Sequence, residues 1–233
     1  MTRTILRIFS FGVLIISLNW VVTAQEKSVN PGINDTFKNP NLNKFLKTFE
    51  GESREIYAFR NEIVKACKIK PGMTVADIGS GTGLFTRLFA KTVGPKGKVY
   101  AVDISPTFLE HVKKSAKEAN LTQIETVLSK QTGPELPKES VDLIFICDTY
   151  HHFEFPQRTL EILHSTLKPE GRIVLIDFHR IEGKTSPKMM KHVRAGQEVF
   201  EREIIESGFK KTGEEKLLKE NYFVRFVKLS KKS

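Results

Sequence analysis

Two carboxylates and three closely spaced glycines are the residues of this chain most suited to holding a ligand. Asp77 stands near the end of the apolar run Val75-Ala76-Asp77-Ile78, and Gly79-Ser80-Gly81-Thr82-Gly83 follows at once. Leu84-Phe85-Thr86-Arg87-Leu88-Phe89-Ala90 then repeats its apolar residues at helical spacing. Strand, glycine turn and helix in that order form a nucleotide-binding corner. Glycine lets the backbone turn sharply there and lets a ligand approach with no Cβ in the way. Asp103 closes a second run, residues 98–103. An acid after the second strand is placed to accept hydrogen bonds from ribose hydroxyls. Its competing role, capping the next helix, falls better to Ser105, with Pro106 at the first helical position. The spacing Gly79-x-Gly81-x-Gly83 differs from the G-x-G-x-x-G of pyrophosphate-binding folds, and an acid beside the turn repels a pyrophosphate but suits a cationic amino-acid group. The spacing therefore argues against a nicotinamide-linked dehydrogenase.

A second set of residues lies further along. Asp148-Thr149-Tyr150-His151-His152 and Asp177-Phe178-His179-Arg180 each stand at the end of an apolar run, and so at the carboxyl ends of two strands. A histidine near its usual pKa is a natural proton acceptor for an oxygen, nitrogen or carbon nucleophile. His151 is the candidate base, and Tyr150 and His179 are expected to shape the pocket around it. Capping or rim packing is the competing role for His151 and His152. Asp148, His151, Asp177 and His179 also carry the donors of a mixed nitrogen and oxygen metal site, but no ligand spacing imposes one and no metal is expected. His192, Arg194 and Gln197, on a later charged helix, are candidates for a lid, for contact with an acidic substrate, or for solvated positions.

The elements that must position these groups alternate. Residues 42–49 suggest a short helix, and 52–67 a longer one, with Ile56, Phe59, Ile63, Val64 and Cys67 at helical spacing. Strands are expected over residues 73–78, 98–103, 123–128, 141–147 and 172–178, separated by helices over about 84–90, 105–120 and 155–167. Lys168-Pro169-Glu170-Gly171 is read as the turn that closes the last of these. A long helix over about 188–207 ends at Gly208, and strands over 209–215 and 222–229 are close enough to pair antiparallel. Repeated β-α units with a closing hairpin predict an α/β fold: a single doubly wound, seven-stranded, mostly parallel sheet, Rossmann-like, with a C-terminal antiparallel hairpin. The expected division is a signal peptide over 1–24, a linker or loosely held arm over 25–43, and one domain over 44–233. Within the domain, N-terminal helices occupy 44–70, a cofactor core 71–180, and an acceptor-side helix with the closing hairpin 181–233.

At this point the chain resembles the class I S-adenosylmethionine-dependent methyltransferases. The matching stretches are Val75 through Gly83, Val102-Asp103-Ile104-Ser105, Val141-Asp142-Leu143-Ile144 and Leu167-Lys168-Pro169-Glu170-Gly171-Arg172, together spanning about residues 71–178. The resemblance implies that Asp77, Gly79, Gly81 and Gly83 hold the methionyl part of S-adenosyl-L-methionine, that Asp103 holds the ribose, that Ile104 lies against adenine, and that Asp148 lines the donor site. The chain departs from the family at one place. Where many relatives carry an adenine-binding Asp after the third strand, the nearest register here offers Lys130 or Gln131, so adenine is held by backbone and apolar contacts or by Gln131.

Composition bounds the rest. The 233 residues suit one α/β domain with short appendages. The formal net charge of +10 allows an anionic partner, a membrane surface or nucleic acid, but the lysines are spread along the chain, and only 228–232 is locally dense. A nucleic-acid methyltransferase is further disfavoured because Asp148-Thr149-Tyr150-His151 is not the Asn/Asp-Pro-Pro-aromatic segment of amino-methylating enzymes and no basic stripe is interleaved with aromatics. Cys67 and Cys147 read as buried small residues rather than a redox pair. Arg3 and Arg7, the apolar run 8–22 and Val22-Thr23-Ala24 follow the order of a secretory signal peptide. Cleavage after Ala24 removes two arginines and no acid, taking +10 to +8, and predicts export, in bacteria to the periplasm. An uncleaved membrane anchor is the alternative. The resulting expectation is an exported methyltransferase acting on a small-molecule acceptor without nucleic acid; the alternative is an exported, non-catalytic binder of S-adenosylmethionine or a nucleoside on the same fold.

Overall fold

The computed structural model describes residues 27–229. The leader expected over 1–24 and the end of the lysine-rich tail lie outside the described residues. Among the described residues, no helix is long and apolar enough to cross a membrane.

The short helices α1 (Asp35–Lys38), α2 (Leu42–Phe49), α3 (Glu55–Ala58) and α4 (Arg60–Ala66) precede the first strand. The core then alternates β1 (Thr74–Ile78), α5 (Leu84–Val93), β2 (Lys98–Asp103), α6 (Pro106–Glu118), β3 (Ile124–Leu128), β4 (Val141–Cys147), α7 (Pro156–Thr166) and β5 (Leu167–Phe178). Helices α8 (Pro187–His192) and α9 (Gln197–Glu206) lead to β6 (Phe209–Glu215) and β7 (Asn221–Lys228). The seven strands lie in the order β3-β2-β1-β4-β5-β7-β6. Strands β3, β2, β1, β4 and β5 pair in parallel, and β7 runs antiparallel between β5 and β6. This is the expected doubly wound sheet with its closing antiparallel pair.

Side chains alternate across the sheet with a period of two. Ala76, Ile144 and Leu175 share one face with Leu160, Phe200 and Ile204, whereas Val75, Phe145 and Val174 share the other with Ile63, Phe85 and Phe89. Both faces are covered, which is why the central strands read as nearly continuous apolar runs. The strand order reverses between β1 and β4, and ligands in open α/β sheets enter at the carboxyl ends of such a pair.

The segment expected as a linker over 25–43 is instead partly folded against the domain. It carries α1, Asn34 is buried, and the Val29 amide donates to the Glu154 carbonyl at 2.9 Å. The helix expected over 52–67 breaks at Phe59, between α3 and α4. Ile56, Ile63 and Cys67 are buried as their spacing predicts, while Phe59 is exposed. The helix expected over 188–207 is likewise two helices. Val193 leaves helical geometry and is buried in the core, and Gly196 begins α9. Strand β5 begins earlier than expected because Val141 pairs with Leu167 across a register irregularity, so Lys168 to Gly171 lie within the strand. Lys168 is held there by Asp142, at 2.8 Å from both carboxylate oxygens.

Candidate active site

The glycine turn leaves β1 with the Gly79 and Ser80 amides donating to the Val102 carbonyl of β2 at 2.8 and 3.0 Å. Gly79, Gly81 and Gly83 have φ of +72°, +51° and +79°, the left-handed region where a side chain is strained. Space excludes a Cβ as well. At Gly79 it would lie 2.3 Å from Thr149 Cγ2, and at Gly83 2.7 Å from Val112 Cγ2. The first contact means that the loop after β4 is seated directly on the turn after β1. The cofactor-side motif and the histidine-bearing segment are therefore built as one unit.

Asp77 is buried, and its Oδ2 accepts from Thr86 Oγ1 at 2.6 Å. Burial, helped by the nearby Asp103 charge and opposed by the Thr86 hydrogen bonds, pushes its pKa up to about 7. Asp103 accepts the Gly81 amide on Oδ2 at 2.8 Å and the Ser105 amide on Oδ1 at 2.9 Å. Burial raises its pKa to about 6 against those bonds. Ser105 begins α6, but its hydroxyl makes no capping bond and is buried without a partner, so Asp103 both braces the turn and receives the amide beside that helix start.

These acids open into a cavity of about 830 Å³, within the range of small-molecule sites. Ile104, Asp148 and Gln131 line it with Asp77, Asp103 and the glycine turn. Ser80 also lines it, and its buried hydroxyl has no protein partner, as expected where a polar ligand supplies one. The glycine cradle, the paired acids and the orphan hydroxyl fit a nucleoside carrying a cationic amino-acid group. Gln131 Oε1 accepts from Asn34 Nδ2 at 2.8 Å, which ties the N-terminal segment to the cavity wall, whereas Lys130 is paired with Glu135.

Asp148 follows β4 with a positive φ of +49°. Arg54 Nη2 donates to its Oδ2 at 2.5 Å and Asn221 Nδ2 to its Oδ1 at 2.6 Å, so both carboxylate oxygens are engaged by the protein. Burial raises its pKa, with the Arg54 charge opposing.

Residues Tyr150–His152 form a single 3₁₀ turn. Such a turn sends successive side chains in directions about a third of a circle apart, and this separates the candidates. His151 and His152 line the cavity. Tyr150 does not. It is wholly buried in the core, with its hydroxyl donating to Glu203 Oε2 at 2.9 Å, so it does not shape the pocket as expected. His179 is also absent from the lining. It lies one residue past β5, its amide donates to the Glu220 carbonyl, and its ring packs on Tyr222 at 5.7 Å between centroids.

His151 is held by Asp177 on two sides. Its ring Nδ1 lies 2.7 Å from Asp177 Oδ1, and its amide donates to Oδ2 at 3.2 Å. With Nδ1–H donating to the carboxylate, Nε2 carries the basic lone pair. Burial disfavours the charged ring, but the charge and hydrogen bond of Asp177 outweigh it, and the pKa is raised. Burial, with the neighbouring His151 and His192, drives the His152 pKa down to about 2.

Of the residues expected on the long helix, His192 lines the cavity, while Arg194 pairs with Glu203 and Gln197 bonds Glu201. Asp148, His151, Asp177 and His179 do not assemble as a four-donor set. Among the described residues, the group that converges is His151, His152 and His192.

One wall was not anticipated from the sequence. Phe37 of α1, Phe45 and Phe49 of α2 and Phe108 of α6 form a contiguous ring cluster, with centroid distances of 5.1–6.4 Å. Phe49 lies over Gly81, and Phe37 meets His152 edge-on at 5.1 Å. The spacing of Phe45 and Phe49, one helical turn apart, signals a shared face but not what that face covers. Arg54, Asn34 and Asn221 carried no motif at all.

A family model described as a methyltransferase domain matches residues 69–222. Among curated proteins, the chain is 29% identical over 119 residues to a ubiquinone/menaquinone biosynthesis C-methyltransferase of Bordetella parapertussis, covering 51% of this chain and 46% of that protein. It is 27% identical over 119 residues to a demethylmenaquinone methyltransferase of Listeria welshimeri, covering 51% and 50%. The chain thus spans about half the length of the curated relatives it matches. Among solved structures, a SAM-dependent methyltransferase from Aquifex aeolicus superposes with a TM-score of 0.73 at 25% identity, over 82% of this chain and 100% of that one. An S-adenosylmethionine-dependent methyltransferase from Mesorhizobium loti, at 18% identity and a TM-score of 0.61 over 76% and 99%, shares the fold. The glycine turn, the two strand-end acids, the strand order and the match across residues 69–222 agree: this chain belongs to the methyltransferase-domain family, whose cofactor is S-adenosylmethionine.

Proposed function

We propose that this protein transfers a methyl group from S-adenosylmethionine to a small, largely apolar acceptor whose proton is taken by Nε2 of His151. The observation that carries this is the continuity of one cavity from Asp77 and Asp103, through the glycine turn, to His151. Following the family resemblance, Asp77 and the glycine turn would hold the methionyl group, Asp103 the ribose and Ile104 the adenine. When bound, the cofactor supplies an electrophilic methyl on a positively charged sulfur. The chain's own task is to position the acceptor, exclude water and remove a proton. The Phe37, Phe45, Phe49 and Phe108 wall excludes water and favours an apolar or aromatic acceptor. Asp177 is a positioning residue: it fixes the His151 tautomer and stabilises the imidazolium that forms.

The relatives named as a ubiquinone/menaquinone biosynthesis C-methyltransferase and a demethylmenaquinone methyltransferase support hydroxylated aromatic rings as the first acceptors to test. Folded protein is incubated with the cofactor and a panel of phenols and quinols, and methylated product is measured. Turnover that falls about a hundredfold or more in His151→Gln, with cofactor affinity retained, is expected from loss of a general base. Failure to bind the cofactor, or turnover unchanged in that variant, refutes the proposal. Binding without turnover across the panel favours the non-catalytic alternative. Export is proposed from the order of charges, apolar run and small residues over 1–24; the mature N-terminus of protein recovered from a fractionated bacterial host tests it.

A further inference from the structure

We infer that His151, His152 and His192 form a binding site for one divalent transition-metal ion of the zinc class, at the acceptor end of the cavity. One ring nitrogen from each comes within 4.8 Å of the others, and all three rings line the cavity. The rings also meet pairwise, with centroids 4.2 Å apart for His151–His152, 5.0 Å for His151–His192 and 5.1 Å for His152–His192. Zinc sits about 2.1 Å from an imidazole nitrogen, and a tetrahedral ion places its ligands about 3.4 Å apart, so loading would draw the rings slightly inward.

Two further observations point to a ligand rather than to chance packing. His152 Nδ1 is buried and has no hydrogen-bond partner, an arrangement that is unfavourable in a stable core unless something else uses that nitrogen. His151 presents the outer-shell arrangement of a metal-ligating histidine. Its Nδ1 is held at 2.7 Å by the buried Asp177, which aims Nε2 and raises its strength as a donor. Three neutral nitrogen donors suit zinc, cobalt, nickel or copper better than magnesium or calcium, which prefer oxygen.

Three protein ligands leave a fourth position open, the pattern of sites where metals act on a bound molecule. This role rests on the methyl transfer proposed above. An acceptor hydroxyl oxygen would bind there, its O–H bond breaking with the electron pair kept on oxygen and the proton passing to solvent. In metal-free protein that proton goes to His151 Nε2; in loaded protein the same lone pair holds the ion.

The test is titration of the chelator-treated protein with Co²⁺ alone, followed by visible absorption and calorimetry. One equivalent is expected to bind with the intense bands of a tetrahedral site. His192→Ala, at a half-buried position, should remove these bands while leaving thermal unfolding close to wild type, and His152→Ala should also remove them. Asp177→Asn should weaken binding tenfold to a hundredfold. The site is refuted if no equivalent binds, or if the bands survive in both histidine variants. Cobalt binding requires neither cofactor nor turnover. Transfer without metal binding would sink this site and leave the methyltransferase reading standing. Metal binding without transfer would do the reverse.

Discussion

Replacing Asp77 with Asn is expected to stabilise the cofactor-free protein and weaken the cofactor. Asp77 is buried within β1 with its carboxylate against Thr86 of α5, and burial moves its pKa from 3.8 to about 7. At about 1.4 kcal/mol per pH unit, that interval corresponds to about 4 kcal/mol of destabilisation by the ionised form above pH 7. Asn keeps an acceptor for Thr86 Oγ1 but brings amide hydrogens without assigned partners, which offsets about 1–2 kcal/mol. A net gain of about 2–3 kcal/mol raises the Tm of a domain this size by about 5–10 °C. The sign follows from proton binding. The native state holds more protons than the unfolded chain between pH 3.8 and about 7, so wild-type stability contributed by this group falls as pH rises through that window. The variant loses that slope, except for the part due to Asp103, which ends near pH 6. Thermal unfolding of both proteins from pH 4.5 to 8.5 measures this, with the difference small at the acid end and full at the alkaline end. Calorimetry at pH 8 should show cofactor affinity reduced about thirtyfold, the equivalent of one charge-assisted contact of about 2 kcal/mol. Equal Tm values at pH 8, or parallel pH dependences, would show that the buried charge is relieved in some way this geometry does not contain.

Gly79→Ala should cost about 2–4 kcal/mol in denaturant unfolding, because φ is +72° and the new Cβ meets Thr149 at 2.3–2.8 Å; Thr149→Gly in the same chain should recover part of it. Asp103→Asn should leave the fold within a few degrees of wild-type Tm but reduce cofactor affinity about thirtyfold or more, since it removes a charged acceptor braced by Gly81 and Ser105; unchanged affinity by calorimetry rules out the ribose role. Arg54→Ala leaves Asp148 with Asn221 alone and should destabilise by about 3 kcal/mol in urea, with Asp148→Asn in the same chain restoring much of the loss.

The order of elements, the parallel sheet and the placing of the glycine turn and two acids on one cavity were legible in the sequence. Each depends on residues close together in sequence. The glycines at 79, 81 and 83 and the acids at the ends of β1 and β2 are placed by strand ends and by turn chemistry, which short-range constraints dictate. Alternating apolar runs likewise mark strands covered on both faces. The histidine end of the cavity was legible only as a pair of segments. Which of Tyr150, His151 and His179 faces the cavity depended on the direction of a single 3₁₀ turn and on the path of one residue past β5, neither of which any local pattern encodes. The break at Val193 that gives α8 its own end was invisible for the same reason, since a charged helical stretch does not announce that one valine will be drawn into the core. Local composition thus determined where the glycine turn and its two acids would stand at the strand ends. Only the packing of the 3₁₀ turn, α8 and the N-terminal phenylalanines against one another decided what faces it, because side chains 26 to 120 residues apart converge there through the pairing of β4 with β5 and through contacts that short-range preferences do not contain.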